Sequence, residues 1–148
     1  MAEDVSTRPL RAEDRAAWGA LWHAYLDFYG ASVEGAVYEN TFARLIDPAV
    51  ADMGCFIAEA DGRAVGLVHY IVHPHNWRIE DVIYLQDLYV DPALRGMGVG
   101  RALIEAVYAE ADRRGTPSVY WLTQDFNAEA RKLYDSIGVL TPFVKYQR

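Results

Sequence analysis

The stretch Arg95-Gly96-Met97-Gly98-Val99-Gly100 places glycine at every second position between a β-rich segment, Asp81 to Val90, and a helix-patterned one, Val99 to Arg114. With no Cβ atoms to shield it, such a backbone lets a ligand come close to its N–H groups. The start of a helix adds unpaired donors and a partial positive charge. Together these make a cradle for a phosphate or pyrophosphate. The whole chain carries a formal net charge of −7, so the anion site is local and not a product of general basicity. Two familiar phosphate-binding spacings fail. Arg101 stands where G-x-G-x-x-G needs its third glycine, and no lysine follows as G-x-x-x-x-G-K-[ST] requires. What remains is Arg95-x-x-Gly98-x-Gly100 after a strand that ends Asp87-Leu88-Tyr89-Val90-Asp91-Pro92.

Downstream, Asn127-Ala128-Glu129-Ala130-Arg131-Lys132-Leu133-Tyr134-Asp135-Ser136-Ile137-Gly138 follows a buried-strand pattern, Ser118 to Thr123. In this order the two segments resemble the GNAT superfamily of acetyl-CoA-dependent N-acetyltransferases, and the resemblance extends over nearly the whole chain. It implies an α/β GNAT fold with a mixed central sheet of about six to seven strands flanked by four helices. It implies that Arg95, Gly96, Met97, Gly98, Val99, Gly100 and Arg101 hold the coenzyme A pyrophosphate. Asn127 and Ala130 would flank the pantetheine arm, and the backbone N–H groups of Leu88, Tyr89 and Val90 would bind the pantetheine and the thioester carbonyl. Tyr134 would protonate the departing thiolate. A phenol with a pKa of about 10 suits that part, because it is protonated at neutral pH. Transfer would be direct, with no covalent enzyme intermediate.

An amine that attacks a thioester must first lose a proton. A lysine-like ammonium is neutral only about one part in a thousand at neutral pH, a cost of roughly 4–5 kcal/mol. The site therefore needs a proton acceptor. The run Tyr84-Leu85-Gln86-Asp87-Leu88-Tyr89-Val90 resembles the fourth strand of the histone and polyamine acetyltransferase branch, in which several members carry glutamate at the position of Gln86. An amide is no base. Asp87 is adjacent, yet a regular strand points it to the opposite face. A β-bulge would re-aim either residue. Glu34, Glu39, Glu80 and Asp81, acting through water, are the alternatives. Two other functions fit the same cofactor site: an acetyl-CoA sensor without turnover, which Gln86 favours and Tyr134 opposes, and transfer of a different acyl group.

For the acceptor, Tyr25, Phe28 and Tyr29 stand at the end of a helical aromatic stripe that begins with Trp18 and Trp22. Glu34 and Glu39 fall in the next helix, which in the GNAT fold borders the acceptor cleft, and Gln86 lies on the strand beside it. With the acidic balance of the chain, these residues point to a cationic amine of the polyamine or lysine kind. His69, His73 and His75 keep no regular spacing with acidic or cysteine ligands. They read as a sheet surface and a turn, and no metal is expected.

The elements that must position these groups follow from periodicity. Val5 to Leu10 reads as a strand. Asp14 caps a helix with Trp18, Leu21, Trp22, Tyr25, Leu26 and Tyr29 on one face, stopped at Gly30. A second helix runs from about Glu34 to Ile46. Met53 to Ala60 and Arg63 to Val72 form a hairpin across Asp61-Gly62. A fourth strand ends at Val90. After the helix Val99 to Arg114 come a strand, Ser118 to Thr123, a helix, Asn127 to Ile137, and a last strand, Val139 to Tyr146. The strand–helix–strand crossover predicts parallel pairing. Family members commonly finish with two strands where only ten residues follow Gly138. An unfinished sheet edge around Phe143, Val144 and Tyr146 therefore predicts a homodimer.

The 148 residues, 52% hydrophobic and 24% charged, suit one globular domain over 1–148. No apolar run is long enough to span a bilayer, and the start, Met1-Ala2-Glu3-Asp4, is acidic and lacks an apolar core. Cys55 is alone and sits in an apolar run, so it reads as core, and the location expected is cytoplasmic. An excess of 21 acidic over 14 basic residues argues against duplex nucleic acid as a partner.

Overall fold

The computed structural model describes residues 4–148; Met1-Ala2-Glu3 lies outside the described residues. The sheet is built from β1 (Val5–Pro9), β2 (Met53–Ala60), β3 (Arg63–His73), β4 (Val82–Val90) and β5 (Val119–Tyr120), in that spatial order. The first four strands pair antiparallel, and β5 adds to β4 in parallel after the crossover helix. The helices are α1 (Arg15–Phe28), α2 (Gly35–Ile46), α3 (Val99–Arg114) and α4 (Ala128–Ile137). The β2–β3 hairpin turns on Asp61 and Gly62, both with positive φ (53° and 71°), the conformation its right-handed strand twist requires.

Alternation along the strands divides the core into two layers. Cys55, Ile57 and Leu67 face α1 and α2, where they meet Trp18, Trp22 and Phe42. Ala58, Val68 and Ile83 face α3, whose Val99, Leu103, Ile104, Val107 and Ala111 recur at three- and four-residue steps. Each of the larger buried side chains stabilises the fold by roughly 1.5–3 kcal/mol.

The sheet has five strands among the described residues, not the six to seven expected. The strand read over Ser118 to Thr123 contracts to Val119–Tyr120, and none forms over Val139 to Tyr146. A strand persists only where a neighbour takes its backbone hydrogen bonds. Beyond Tyr120 the chain turns away from β4, and the residues after Gly138 find no partner strand. They leave Val139, Leu140, Phe143, Val144 and Tyr146 exposed.

Candidate active site

A cleft of about 410 Å³ opens where β4 and β5 part. The two strands are paired only at Ile83 with Val119 and Tyr84 with Tyr120. Past that point β4 keeps β3 on one side and has no strand on the other, so the outward backbone groups of Leu88, Tyr89 and Val90 are free to pair with a ligand. All three residues line the cleft.

The glycine loop forms the next wall. Gly96 and Gly98 adopt φ of 81° and 83°, and a Cβ on either would meet nothing within 4 Å. Gly98 is the N-cap of α3 and offers no side chain to the first-turn donors, so the N–H groups of Val99, Gly100 and Arg101 stay available. This open, donor-rich helix start fits a pyrophosphate. Gly100 has a second task. A Cβ there would come within 3.1 Å of Leu133, so the missing side chain lets α4 pack on α3. Arg95 lies over the Phe28 ring, 6.0 Å from its centroid. Arg101 donates to Ser136 Oγ at 2.7 Å. Met97, at the loop's tip, does not line the cleft.

Helix α4 supplies the third wall. Asn127 caps it, with its side-chain oxygen accepting from Ala130 N–H at 3.5 Å. Asn127, Ala130, Leu133 and Tyr134 face the cleft. Burial pushes the Tyr134 phenol up to about 12, with Tyr29 adding a smaller effect. The group therefore stays protonated throughout the neutral range. Lys132 lines the cleft and pairs with Glu129, while Arg131 turns to the Asp125 carbonyl.

Tyr25, Phe28 and Tyr29 close the far end. Beyond them lies Asp87, oriented by a β-bulge. On β3, His69 stands opposite Asp87 and Tyr70 opposite Leu85, which leaves Gln86 without a partner. The inserted residue flips the alternation. Ile83 and Leu85 pack toward α3 before the bulge, and Leu88 and Val90 do so after it. Asp87 is thereby turned toward α1, while Gln86 is exposed. Asp87 Oδ2 accepts from His69 Nδ1 at 2.8 Å and from Trp22 Nε1 at 3.3 Å. Tyr25 hydrogen-bonds Asp87, and the charge of the carboxylate raises the pKa of Tyr25, Tyr29 and Tyr84, in each case second to burial, so the three phenols lie near it and remain protonated.

Other predicted residues lie elsewhere. Glu39 is paired with Arg15 on the outer side of α1 and α2, and Glu34 is the N-cap of α2; neither lines the cleft, and nor do Gln86 and Asp87. His73 bonds Tyr120 and His75 bonds the Trp77 backbone. His69 is not on an open sheet surface: it is 5% exposed, covered by α1. It is the polar residue of the site that the sequence reading missed. Two tryptophans on the buried face of α1 were its signal, because buried indole N–H groups need acceptors. No group of three or more His, Cys, Asp or Glu among the described residues could hold a metal ion.

A parallel strand pair that splays over a glycine-rich helix start, with a tyrosine on the following helix, defines an acyltransferase of the coenzyme A-dependent kind. The Acetyltransferase (GNAT) family model matches residues 18–139. The chain is 40% identical over 145 residues to the D-amino-acid N-acetyltransferase HPA3 of Saccharomyces cerevisiae, across 97% of this chain and 90% of that one. It is 28% identical over 148 residues to the uncharacterized N-acetyltransferase YhfO of Bacillus subtilis, across 96% and 95%. The fold superposes with a TM-score of 0.85, at 20% identity, on AAC(6')-Iy in complex with the bisubstrate analog CoA-S-monomethyl-acetylneamine, across 98% and 97% of the two chains. The protein belongs to the GNAT acetyltransferase family. It is an N-acetyltransferase, with acetyl-CoA as co-substrate and an amine as acceptor.

Proposed function

We propose that the acceptor is a small primary amine that enters as its ammonium and gives its proton to Asp87. The observation that carries this reading is the bulge at Gln86, which turns a carboxylate toward the ring of Tyr25, Tyr29 and Tyr84. A carboxylate set among phenol hydroxyls suits a cation. Arg95, Gly96, Gly98, Gly100 and Arg101 hold the pyrophosphate, and Asn127 and Ala130 flank the pantetheine. The backbone N–H groups of Leu88 to Val90 hold the thioester oxygen as it gains charge. Tyr134 gives its phenol proton to the departing sulfur, and the second proton, shed by the nitrogen as the amide forms, restores the phenol through water.

Polyamines and lysine-like amines fit the ammonium requirement through the charge of the chain. An amino acid is the second reading, favoured by the 40% likeness to a D-amino-acid N-acetyltransferase. Thiol release with acetyl-CoA and a panel of polyamines, lysine peptides and D- and L-amino acids separates the two. Asp87→Asn, assayed with the best acceptor, tests the base: loss of turnover with coenzyme affinity retained supports it, and undiminished turnover removes it.

The same proposal covers residues 1–148 as one domain and a cytoplasmic enzyme. No helix among the described residues is long and apolar enough to cross a membrane. It also includes a homodimer. The apolar residues Val139, Phe143, Val144 and Tyr146, held out from the body, suit strand exchange with a second copy.

A further inference from the structure

We propose that His69 is a positioning residue for acetyl transfer, holding the Asp87 carboxylate through a tautomer that Trp18 fixes. The inference rests on Asp87 being the proton acceptor.

Trp18 Nε1 lies 2.9 Å from His69 Nε2, and both residues are buried. An indole N–H donates and never accepts. His69 Nε2 is therefore the nitrogen with the lone pair, and the ring's proton is on Nδ1. That proton points to Asp87 Oδ2, 2.8 Å away. The opposite tautomer, or a doubly protonated ring, would set two N–H groups against each other inside the core. The contact is thus a hydrogen bond from a neutral imidazole to a carboxylate and not an ion pair.

The same reasoning excludes His69 as the base. Its only lone pair is occupied by Trp18 beneath α1. His69 orients, and Asp87 accepts. Trp22 Nε1 donates to the same Oδ2 at 3.3 Å, so both nitrogen donors engage one oxygen, and the Tyr25 hydroxyl also hydrogen-bonds the carboxylate. His69 and Asp87 are also the last register pair before the bulge, so the bond holds the carboxylate where the alternation flips. The groups facing Asp87 are Trp22 and Tyr25 from α1, Tyr29 from its C-cap, His69 from β3 and Tyr84 from β4.

Two amides split the two bonds. His69→Asn sets an amide N–H near the Nδ1 position, keeps the donor to Asp87 and abandons Trp18. His69→Gln sets an amide oxygen near Nε2, keeps Trp18 satisfied and abandons Asp87. The expected result is that Asn stays within about threefold of wild-type kcat, while Gln falls at least about tenfold with the acetyl-CoA KM unchanged. Melting temperatures should rank the other way, with Gln above Asn. A structural histidine would make activity follow stability, and that outcome overturns the proposal. Asp87→Asn runs in parallel. If it retains turnover, the acceptor reading fails and this inference with it. If it loses turnover while Gln keeps kcat, only the inference fails. The imidazole ¹⁵N shifts of the wild-type protein give a test that needs no variant. They should show a neutral Nδ1–H ring, and a proton on Nε2 would refute the assignment.

Discussion

The Tyr134 ring meets the Trp121 ring edge-on, with centroids 5.6 Å apart and planes at 66°. The indole shields one side of the phenol from water and fixes its direction. Desolvation then disfavours the phenolate, which is why the pKa rises to about 12. Because the folded value lies above the unfolded one, the stability linked to this proton is complete below about pH 10 and is lost as pH rises through 12. Tyr134→Phe keeps the ring contact and removes only the proton. Its kcat should fall by about 100-fold at every pH from 6 to 9, with little change in coenzyme affinity. No decline of the wild-type rate below about pH 10 should trace to Tyr134. Steady-state pH profiles of both forms check this, and a variant within threefold of wild type would reduce Tyr134 to packing.

Gly98 allows a second test, because its positive φ and its open side can be separated. Asparagine tolerates the left-handed region far better than valine. Gly98→Asn should therefore keep the loop's conformation while placing a side chain where the pyrophosphate approaches. We expect its coenzyme A affinity to drop at least tenfold, about 1.4 kcal/mol, with a near-native melting temperature. Gly98→Val should lose both affinity and stability. Calorimetry with coenzyme A decides; an Asn variant that binds like wild type would move the pyrophosphate elsewhere.

That the glycine loop and Tyr134 would share a cleft was legible in the sequence because their signals are local. A glycine triplet before a helix and a tyrosine at fixed spacing after an asparagine cap need no knowledge of neighbours. The hairpin at Asp61-Gly62 was legible for the same reason. Asp87 was a candidate, but its direction was not legible, because it depends on Gln86 having no partner across β3. Register is a property of two strands, and alternation along one of them cannot reveal where it slips. His69 was hidden in the same way: its burial is imposed by α1, some fifty residues earlier in the chain. The missing sixth strand fails for a related reason. Val139 to Tyr146 is rich in β-branched and aromatic residues, yet it pairs with no strand of the sheet.

That segment gives a third prediction. Val139, Phe143 and Tyr146 are 90%, 82% and 92% exposed, an unusual apolar surface for a chain that stays alone. Light scattering at micromolar concentration should give the mass of two chains. A form ending at Gly138 should give the mass of one. If the full chain is monomeric, or if the shortened form still pairs, exchange of this segment is wrong.

The acceptor's charge gives the last prediction. Charge patterning placed an ammonium between Glu34 and Glu39, but Glu39 faces Arg15 and Glu34 stands at the start of α2, outside the cleft. Glu129 is the carboxylate that lines the cleft, and it is paired with Lys132; in the proposed reading Asp87 takes the proton of the ammonium. Asp87 is also largely buried, with 13% of its side chain exposed. The double change Glu34→Gln with Glu39→Gln should therefore alter kcat/KM for any amine by no more than about twofold, the scale of exposed charges. Asp87→Asn should lower it by about 100-fold or more. Salt separates the two carboxylate settings as well. Exposed charges are screened within about 8–10 Å at physiological ionic strength, whereas a buried pair is screened much less. The ranking of acceptors should accordingly hold as salt rises, with acidic amino acids poorest because a second carboxylate would face Asp87. Kinetics across the amine panel at low and high salt would measure this. A strong salt effect on KM that disappears in the Glu34/Glu39 double variant would show that α2 holds the acceptor after all.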